Sequence, residues 1–581
     1  MKTFMKINKL FLGLFAYAAL SACSNDESGI IPNDVPKVFT GNEAYIRVRL
    51  TDAVTSTRAT SKDNDFEYGT AEQEVENAHF YFYDENGVFV AQGNAWNDGN
   101  SETGNPAGNI EFKSNTVVVL KGLSNKMYPK YMVTVLNKPN TFIHGNTLDE
   151  MEVALADNAA EGIYYPKNDV NYFAMSTTSF AEQGLMKSFV TEVEEANFSL
   201  EPISGAGIYP VTIYVERLAA KVSLGVAQKL EESKIDGRYL IKATVAGEPN
   251  AGGGNNIAAE DLYVELLGWK LNATAKKSYI VKNIDESWTH ASLGFTWNMP
   301  IYFRSYWGKS FNYGKPGYPE NAAGAATSEY LNYVNLKSNC VEMGKAAYCA
   351  ENTNTSEILS ATRNFPSAVT SILLKAKICD KVGNALNLVR FNGVLFNQDS
   401  FLQYMLNILS ARGELNVWYE DGVNENGNKK YTQIGKEFVN LVNVSDGVVK
   451  VEFTNNNNIP LYSKVNDTTF NPITNFSDLN VNLAEVSEGA IGYTGGLMYY
   501  NIPIEHLNEA DIIESKIPEA KYGVVRNHRY IVTINKLENI GKGIFDEEEV
   551  IVPSDEDDET YFVSANINIL SWKIVSQDVD L

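Results

Sequence analysis

The sequence predicts a mostly β protein, two β-sandwich-like domains with a few short helices. Three observations predict it. Apolar and polar residues alternate in stretch after stretch, as in Ala44–Asp52, where Ile46, Val48 and Leu50 share one face and Tyr45, Arg47 and Arg49 the other. Aromatic residues are plentiful, with 32 Tyr, 27 Phe and 7 Trp beside many Val, Thr and Asn, a composition that favours strands. The length, 581 residues, exceeds what one hydrophobic core serves.

The chain opens on an address. Lys2, Lys6 and Lys9 precede an apolar run from Leu10 to Leu20 that is too short to span a bilayer and right for a signal peptide. It ends in Leu20-Ser21-Ala22-Cys23, the lipobox pattern of bacterial lipoproteins. Small residues admit the peptidase, and the Cys23 thiol accepts the diacylglycerol. Residues 1–22 are therefore expected to be a lipoprotein signal peptide and Cys23 the lipidation site. No later apolar run reaches spanning length, so the lipid is the expected anchor to the outer membrane.

Residues 23–58 form a polar tether with Pro32 and Pro36, then the strand carrying Ile46, Val48 and Leu50, then the Ser/Thr-rich stretch around Arg58-Ala59. Such a stretch is where proteases cut, although an isolated Arg-Ala bond by itself reads as a solvated linker. A first domain over 59–207 takes strands at Val75–Tyr83, Thr116–Leu120 and Tyr131–Leu136, and near Phe189 and Phe198. Asn86-Gly87 predicts a hairpin, and Thr147 with Glu150 a capping box on a short helix. Pro202 to Pro210 marks a boundary. A second domain over 208–560 opens on Val211–Leu224, a strand pair or one bent strand. A Gly-rich loop at Gly247–Asn256 and a strand at Leu262–Leu271 follow. Phe401, Met405 and Ile408 stand at helical spacing, a core face. Arg529–Asn535 is a further strand. The acidic runs Glu547–Glu549 and Asp555–Glu559 read as solvated loops, since neither has a calcium-loop spacing.

The last stretch, residues 561–581, has no Gly or Pro. Val563, Ala565, Ile567 and Ile569 alternate on one face. The parity then changes and Trp572 and Ile574 take up the pattern: a strand, a kink or bulge, and a second strand. Chain ends usually fray into small polar residues, so an apolar strand here either completes the chain's own sheet or serves another molecule.

Several function classes are excluded. A net charge of −24 repels phosphate backbones, so nucleic acid is not an expected partner. The five His are scattered, with no HExxH, no G-x-S-x-G and no Walker lysine after the Gly-rich loop. His506 and His528 read as packed or exposed side chains rather than catalytic ones. Cys340, Cys349 and Cys379 form no CxxC. Two readings stay open: a Cys340–Cys349 pair, nine residues apart, or three structural thiols. No enzyme activity, metal or cofactor is expected.

Eight stretches in order carry a family likeness: VENAHFYFYDENG, YPKYMVTVLN, YFAMSTTSF, IYVERLAAKVSL, LLGWKLNATAKKSYI, MYYNIPIEHL, YGVVRNHRYIVTIN and SANINILSWKIVSQDVDL. With the lipobox, the strand before Arg58-Ala59 and the apolar ending, the chain resembles the Bacteroidales-type (type V pilus) fimbrillins, nearest the shaft subunit of the short or minor fimbria. The resemblance implies two transthyretin-like β-sandwich domains and a C-terminal donor strand. It implies export as a lipoprotein and cleavage between Arg58 and Ala59 by an Arg-specific surface protease. The strand with Ile46, Val48 and Leu50 then leaves, and the donor strand of a neighbouring copy fills the groove through Val563, Ile567, Ile569, Trp572 and Ile574. The implied product is a homopolymer with accessory and anchor subunits, an extracellular fimbrium that supports adhesion, aggregation and biofilm formation. Two other readings stay open: a fimbrial tip or accessory adhesin, and a monomeric glycan-binding surface lipoprotein.

Overall fold

The computed structural model describes residues 38–52, 75–95, 102–103, 114–157, 162–167, 170–177, 180–182, 185–187, 189–203, 210–249, 255–283, 308–315, 328–355, 366–425, 427–506, 522–553, 564–571 and 573–580, and the structural statements below concern these. Cys23, Arg58, Ala59, Val563 and Trp572 lie outside them.

The chain is mostly β, in layered sheets with few helices. The N-terminal sheet runs Phe89–Ala95, Ala78–Tyr83, Tyr131–Leu136, Met175–Thr177, Val211–Arg217, Glu43–Asp52, Ser114–Lys121, Glu102–Thr103. Its inner face buries Phe39, Ile46, Val48, Phe80, Phe82, Val118 and Ile213 in one core. The layers meet closely where Phe89–Ala95 crosses Ser114–Lys121. A Cβ at Gly93 would overlap the Val118 side chain, so only glycine fits there. The opposite face carries Tyr81, Tyr83, Val133 and Val135 and is covered by Ile280 and Val281 from later in the chain. Lys277–Tyr279 also pairs with Leu155–Asp157, so residues beyond 208 help close the first set of layers.

The second sandwich packs Ala219–Val226, Ala346–Ala350 and His528–Lys536 on a larger sheet holding Tyr239–Pro249, Asn255–Asn272, Ser371–Cys379 and Leu497–Pro503. Strand alternation sets the contact: Val222 and Leu224 from one layer, Tyr530, Val532 and Ile534 from the same layer, and Ile372, Leu374 and Tyr500 from the other are all fully buried. Trp269 is buried too, its Nε1 donating to the Glu342 carbonyl (3.3 Å). A bulge at Gly268 (φ +129°) aims it inward, and a Cβ there would stand 2.8 Å from the Val341 carbonyl oxygen.

Ser371–Cys379 pairs directly with Leu497–Pro503, so residues 380–496 form an insertion between two neighbouring strands. The insertion has its own core and two helices. Helix Gln398–Arg412 starts at Asn397, whose side chain accepts from the Asp399 amide, and stops at Gly413 in the left-handed region (φ +74°). Phe401, Leu402, Met405, Leu406 and Leu409 are its buried stripe.

Several details differ from the sequence expectation. The helix at Leu148–Glu152 is capped by Thr147, but the Glu150 carboxylate reaches the Asn146 amide (2.7 Å), not the cap's own amide. The expected loop at 247–256 is narrower, since strands run to Pro249 and resume at Asn255. The run Glu547–Glu549 is not merely solvated. Lys375 contacts Glu547, Lys337 contacts Glu548, and Glu549 accepts the Asp446 amide. The terminal kink is a full reversal: Ser564–Ser571 and Lys573–Asp580 pair antiparallel as a hairpin, from Ser564↔Asp580 to Leu570↔Lys573. Continuous extended pairing would leave both strands with an open edge, and folding back satisfies one edge of each.

Candidate functional site: an interior first strand and a terminal hairpin

The strand Glu43–Asp52 forms because its alternation suits a half-buried position, yet its place is inside a sheet, not at an edge. Along one side it runs antiparallel to Ser114–Lys121, from Glu43↔Lys121 through Ile46↔Val118 to Leu50↔Ser114. On the other side its first half meets Phe198–Ser199 antiparallel (Tyr45↔Ser199, Ile46↔Phe198), and its second half runs parallel to Val211–Arg217, from Val48↔Val211 to Asp52↔Val215. Both backbone edges are thus paired.

Ala44, Ile46 and Val48 are fully buried. Leu50 stands in the strand's backbone, while its side chain lies outside what is described. Sequence reasoning missed Phe39, which is also fully buried. Its ring lies 3.8 Å (centroids) from Tyr128 and meets Phe198 edge-on at 5.9 Å, and its backbone exchanges hydrogen bonds with Lys126 and Asn125. A lone aromatic ahead of a strand, in an otherwise polar tether, is the signal that could have found it.

The terminal hairpin extends the other sheet. Lys573–Asp580 lies parallel to His528–Lys536, from Arg529↔Ile574 to Lys536↔Asp580, and Ser564–Ser571 touches that strand in register only at His528↔Ser571. Ile567 and Ile569 therefore stand on one strand of the hairpin and Ile574 on the other. The structure does not bring the hairpin onto the first strand. It brings the two into one framework through Val211–Arg217, the neighbour of the first strand, which continues past Leu218 into Ala219–Val226, the neighbour of His528–Lys536.

Charge is buried where those layers join. Lys282 pairs with Glu216 (3.2 Å) and Arg526 with Glu351 (3.1 Å), each side chain at most 2% exposed. Arg526 also donates to the carbonyls of Ile280 (3.1 Å) and Tyr279 (2.9 Å), and Arg217 to Asn527 (3.3 Å). His506 and His528 sit beside this junction as packed residues. The Tyr530 hydroxyl accepts the Val525 amide (2.8 Å) and is hydrogen-bonded to His506 Nδ1 (2.9 Å). Burial, with His528 and Lys282 nearby, pushes the His506 pKa well below the usual imidazole value. Burial thus favours the neutral imidazole.

Cys340, Cys349 and Cys379 are free thiols. Burial pushes Cys349 up to about 12 and raises the other two, so none is poised to react. Among the described residues, no group of three His, Cys, Asp or Glu could hold a metal, and no helix is long and apolar enough to cross a membrane.

Residues 492–578 match the family described as major fimbrial subunit protein type IV, fimbrillin, C-terminal. The match spans Leu497–Pro503, His528–Lys536 and the terminal hairpin. No curated protein matches the chain. Similar solved structures include a fimbrilin (FimA) from Porphyromonas gingivalis, at 11% identity over 92% of this chain and 97% of that one, TM-score 0.31. The tip fimbrial protein Mfa3 from Porphyromonas gingivalis aligns at 11% identity over 86% and 99%, TM-score 0.29. A fimbrial assembly protein from Parabacteroides distasonis aligns at 10% identity over 74% and 98%, TM-score 0.27. At these TM-scores the likeness of shape carries no argument of its own.

Proposed function

From the match of residues 492–578 to the fimbrillin C-terminal family, we propose that the chain is the repeating subunit of a fimbrial shaft, assembled by strand exchange after proteolysis. In this reading the precursor leaves the cytoplasm as a lipoprotein held to the outer membrane through Cys23. An Arg-specific surface protease cuts between Arg58 and Ala59, and the segment carrying Glu43–Asp52 is released. The C-terminal strand of another copy takes its place, and the fimbrium, with accessory and anchor subunits, supports adhesion, aggregation and biofilm formation.

The observation that carries the reading is the interior position of Glu43–Asp52. A strand at a sheet edge can be lost at small cost. Loss of this one exposes two rows of backbone donors and acceptors and empties the places of Ile46 and Val48. Those two side chains are worth about 3–6 kcal/mol of burial. Phe39 lies N-terminal to Arg58 and goes with them. While the chain is intact, its own first strand fills the slot at a high effective concentration. After a cut the strand is a separate peptide, and a tail from a neighbour competes on equal terms. Assembly then waits for export and cleavage.

The test is limited trypsin digestion of the purified precursor, followed by unboiled gel electrophoresis and N-terminal sequencing. The expected result is a ladder of multimers whose chains begin at Ala59, absent in an Arg58→Ala variant and in a chain truncated after Tyr561. A cut chain that stays monomeric with its tail intact would leave the monomeric lipoprotein or tip-adhesin readings in place.

A further inference from the structure

The strand that must be replaced and the first strand of the terminal hairpin share an alternating apolar sequence pattern. The former reads Ala44-x-Ile46-x-Val48 and the latter Ala565-x-Ile567-x-Ile569, in the same chain direction. From this we infer that Ser564–Ser571 enters the slot of a second copy of this chain in the same direction as the strand it replaces, with Ala565, Ile567 and Ile569 taking the places of Ala44, Ile46 and Val48. The inference rests on the strand-exchange reading and adds to it the donor's polarity and register.

The slot distinguishes the alternatives by size. Ala44, Ile46 and Val48 are all fully buried in one core with Leu120, Val118 and Ile213, so each place is matched to its side chain. The same-direction register keeps a methyl at the first place, keeps Ile at the second and adds one methylene at the third. Entry in the opposite direction puts Ile569 where Ala44 stands and Ala565 where Val48 stands. That overpacks one end and leaves a void at the other. A slip of one residue turns Asn566 and Asn568 into the core. The other strand of the hairpin offers nothing comparable. One of its faces reads Ile574, Ser576, Asp578, Asp580, and the other Lys573, Val575, Gln577, Val579, each broken by polar residues. It is also the strand held along His528–Lys536 of its own chain.

The register names the new neighbours. Tyr45↔Val119, Ile46↔Val118 and Arg47↔Val117 become Asn566↔Val119, Ile567↔Val118 and Asn568↔Val117, between copies. Directly opposite positions bring Cβ atoms within disulfide reach. The test uses the full-length precursor carrying Val117→Cys with Asn568→Cys, trypsin-cut, oxidised and run boiled without reductant. The parent chain and each single variant serve as controls for the native thiols and for folding.

A covalent ladder from the 117/568 pair is the expected result. A ladder instead from Val119→Cys with Asn568→Cys, the pair that opposite polarity would bring together, overturns the direction. Multimers on unboiled gels with neither pair linked overturn the register while leaving strand exchange standing. Absence of multimers from the parent chain overturns the shaft reading itself. A second measurement needs no cysteine. Ala565→Ile should reduce multimer yield at least about tenfold, because it overfills a methyl-sized place. Opposite polarity would make the same change harmless, since the residue would then stand in Val48's larger place.

Discussion

Single residues decide how the slot and the junction behave. Phe39 is held both by its ring, against Tyr128 and Phe198, and by its backbone, against Lys126 and Asn125; in the proposed exchange, a donor lacking an aromatic there would leave Tyr128 and Phe198 uncovered. His506 couples the junction to pH. Its folded pKa lies well below the usual value, whereas the unfolded chain binds a proton below about 6.5. The unfolded state therefore takes up protons that the folded state refuses. Stability is full above pH ~6.5 and falls as the pH drops from there toward the depressed folded value, by up to about 1.4 kcal/mol per pH unit for one such group. Urea unfolding at pH 7.5 and 5.5 measures this. His506→Gln should shrink the difference between the two pH values, and an unaltered difference would assign the pH dependence to other groups.

At the scale of the element, the first strand is both a structural member and an occupant. Its two sides are not equivalent: one is a complete antiparallel ladder with Ser114–Lys121, the other changes from an antiparallel bridge to a parallel ladder near Val48. A peptide of residues 43–52 should therefore re-enter the slot of cut subunits. It should block multimer formation in a dose-dependent way, whereas the same composition in scrambled order should not. Equal inhibition by both peptides would mean that the slot reads composition rather than alternation. Helix Gln398–Arg412 is a simpler element, since its cap at Asn397, its stripe and its stop at Gly413 are all local features.

At the scale of the whole molecule, a single run of chain, Val211–Val226, borders the slot in one sheet and supports His528–Lys536 in the other. The buried pairs Glu216–Lys282 and Arg526–Glu351 stand beside that run. Buried pairs are costly to break because a lone charge is left without solvent. Arg526→Leu strands the Glu351 carboxylate, whose Oε1 already has no hydrogen-bond partner. The variant should lose about 3–5 kcal/mol and, in calorimetry, unfold in two separated transitions where the parent unfolds in one. A single transition at the parent's temperature would show that the junction does not couple the layers.

What was legible in the sequence was local. Alternation identified Ala44–Asp52 as a strand with Ile46 and Val48 on its inward face, and Tyr131–Leu136 and Ser564–Ser571 were legible as strands, because strand patterns need only neighbours to be read. Helix Gln398–Arg412 was legible for the same reason, and the scattered His argued against catalysis without a structure. Tertiary structure decided the rest. Nothing in Glu43–Asp52 says that its parallel neighbour begins at Val211, far along the chain. Nothing in the tail distinguishes a kink from a reversal, and nothing in the acids of the sequence says that Glu216 and Glu351 are buried opposite Lys282 and Arg526. Sequence alone determined several of the strands and, at Ala44–Asp52, the face that is buried. Which strand lies beside which, and so where an opening would appear, is settled by long-range packing, where one core must accommodate side chains from distant segments at once.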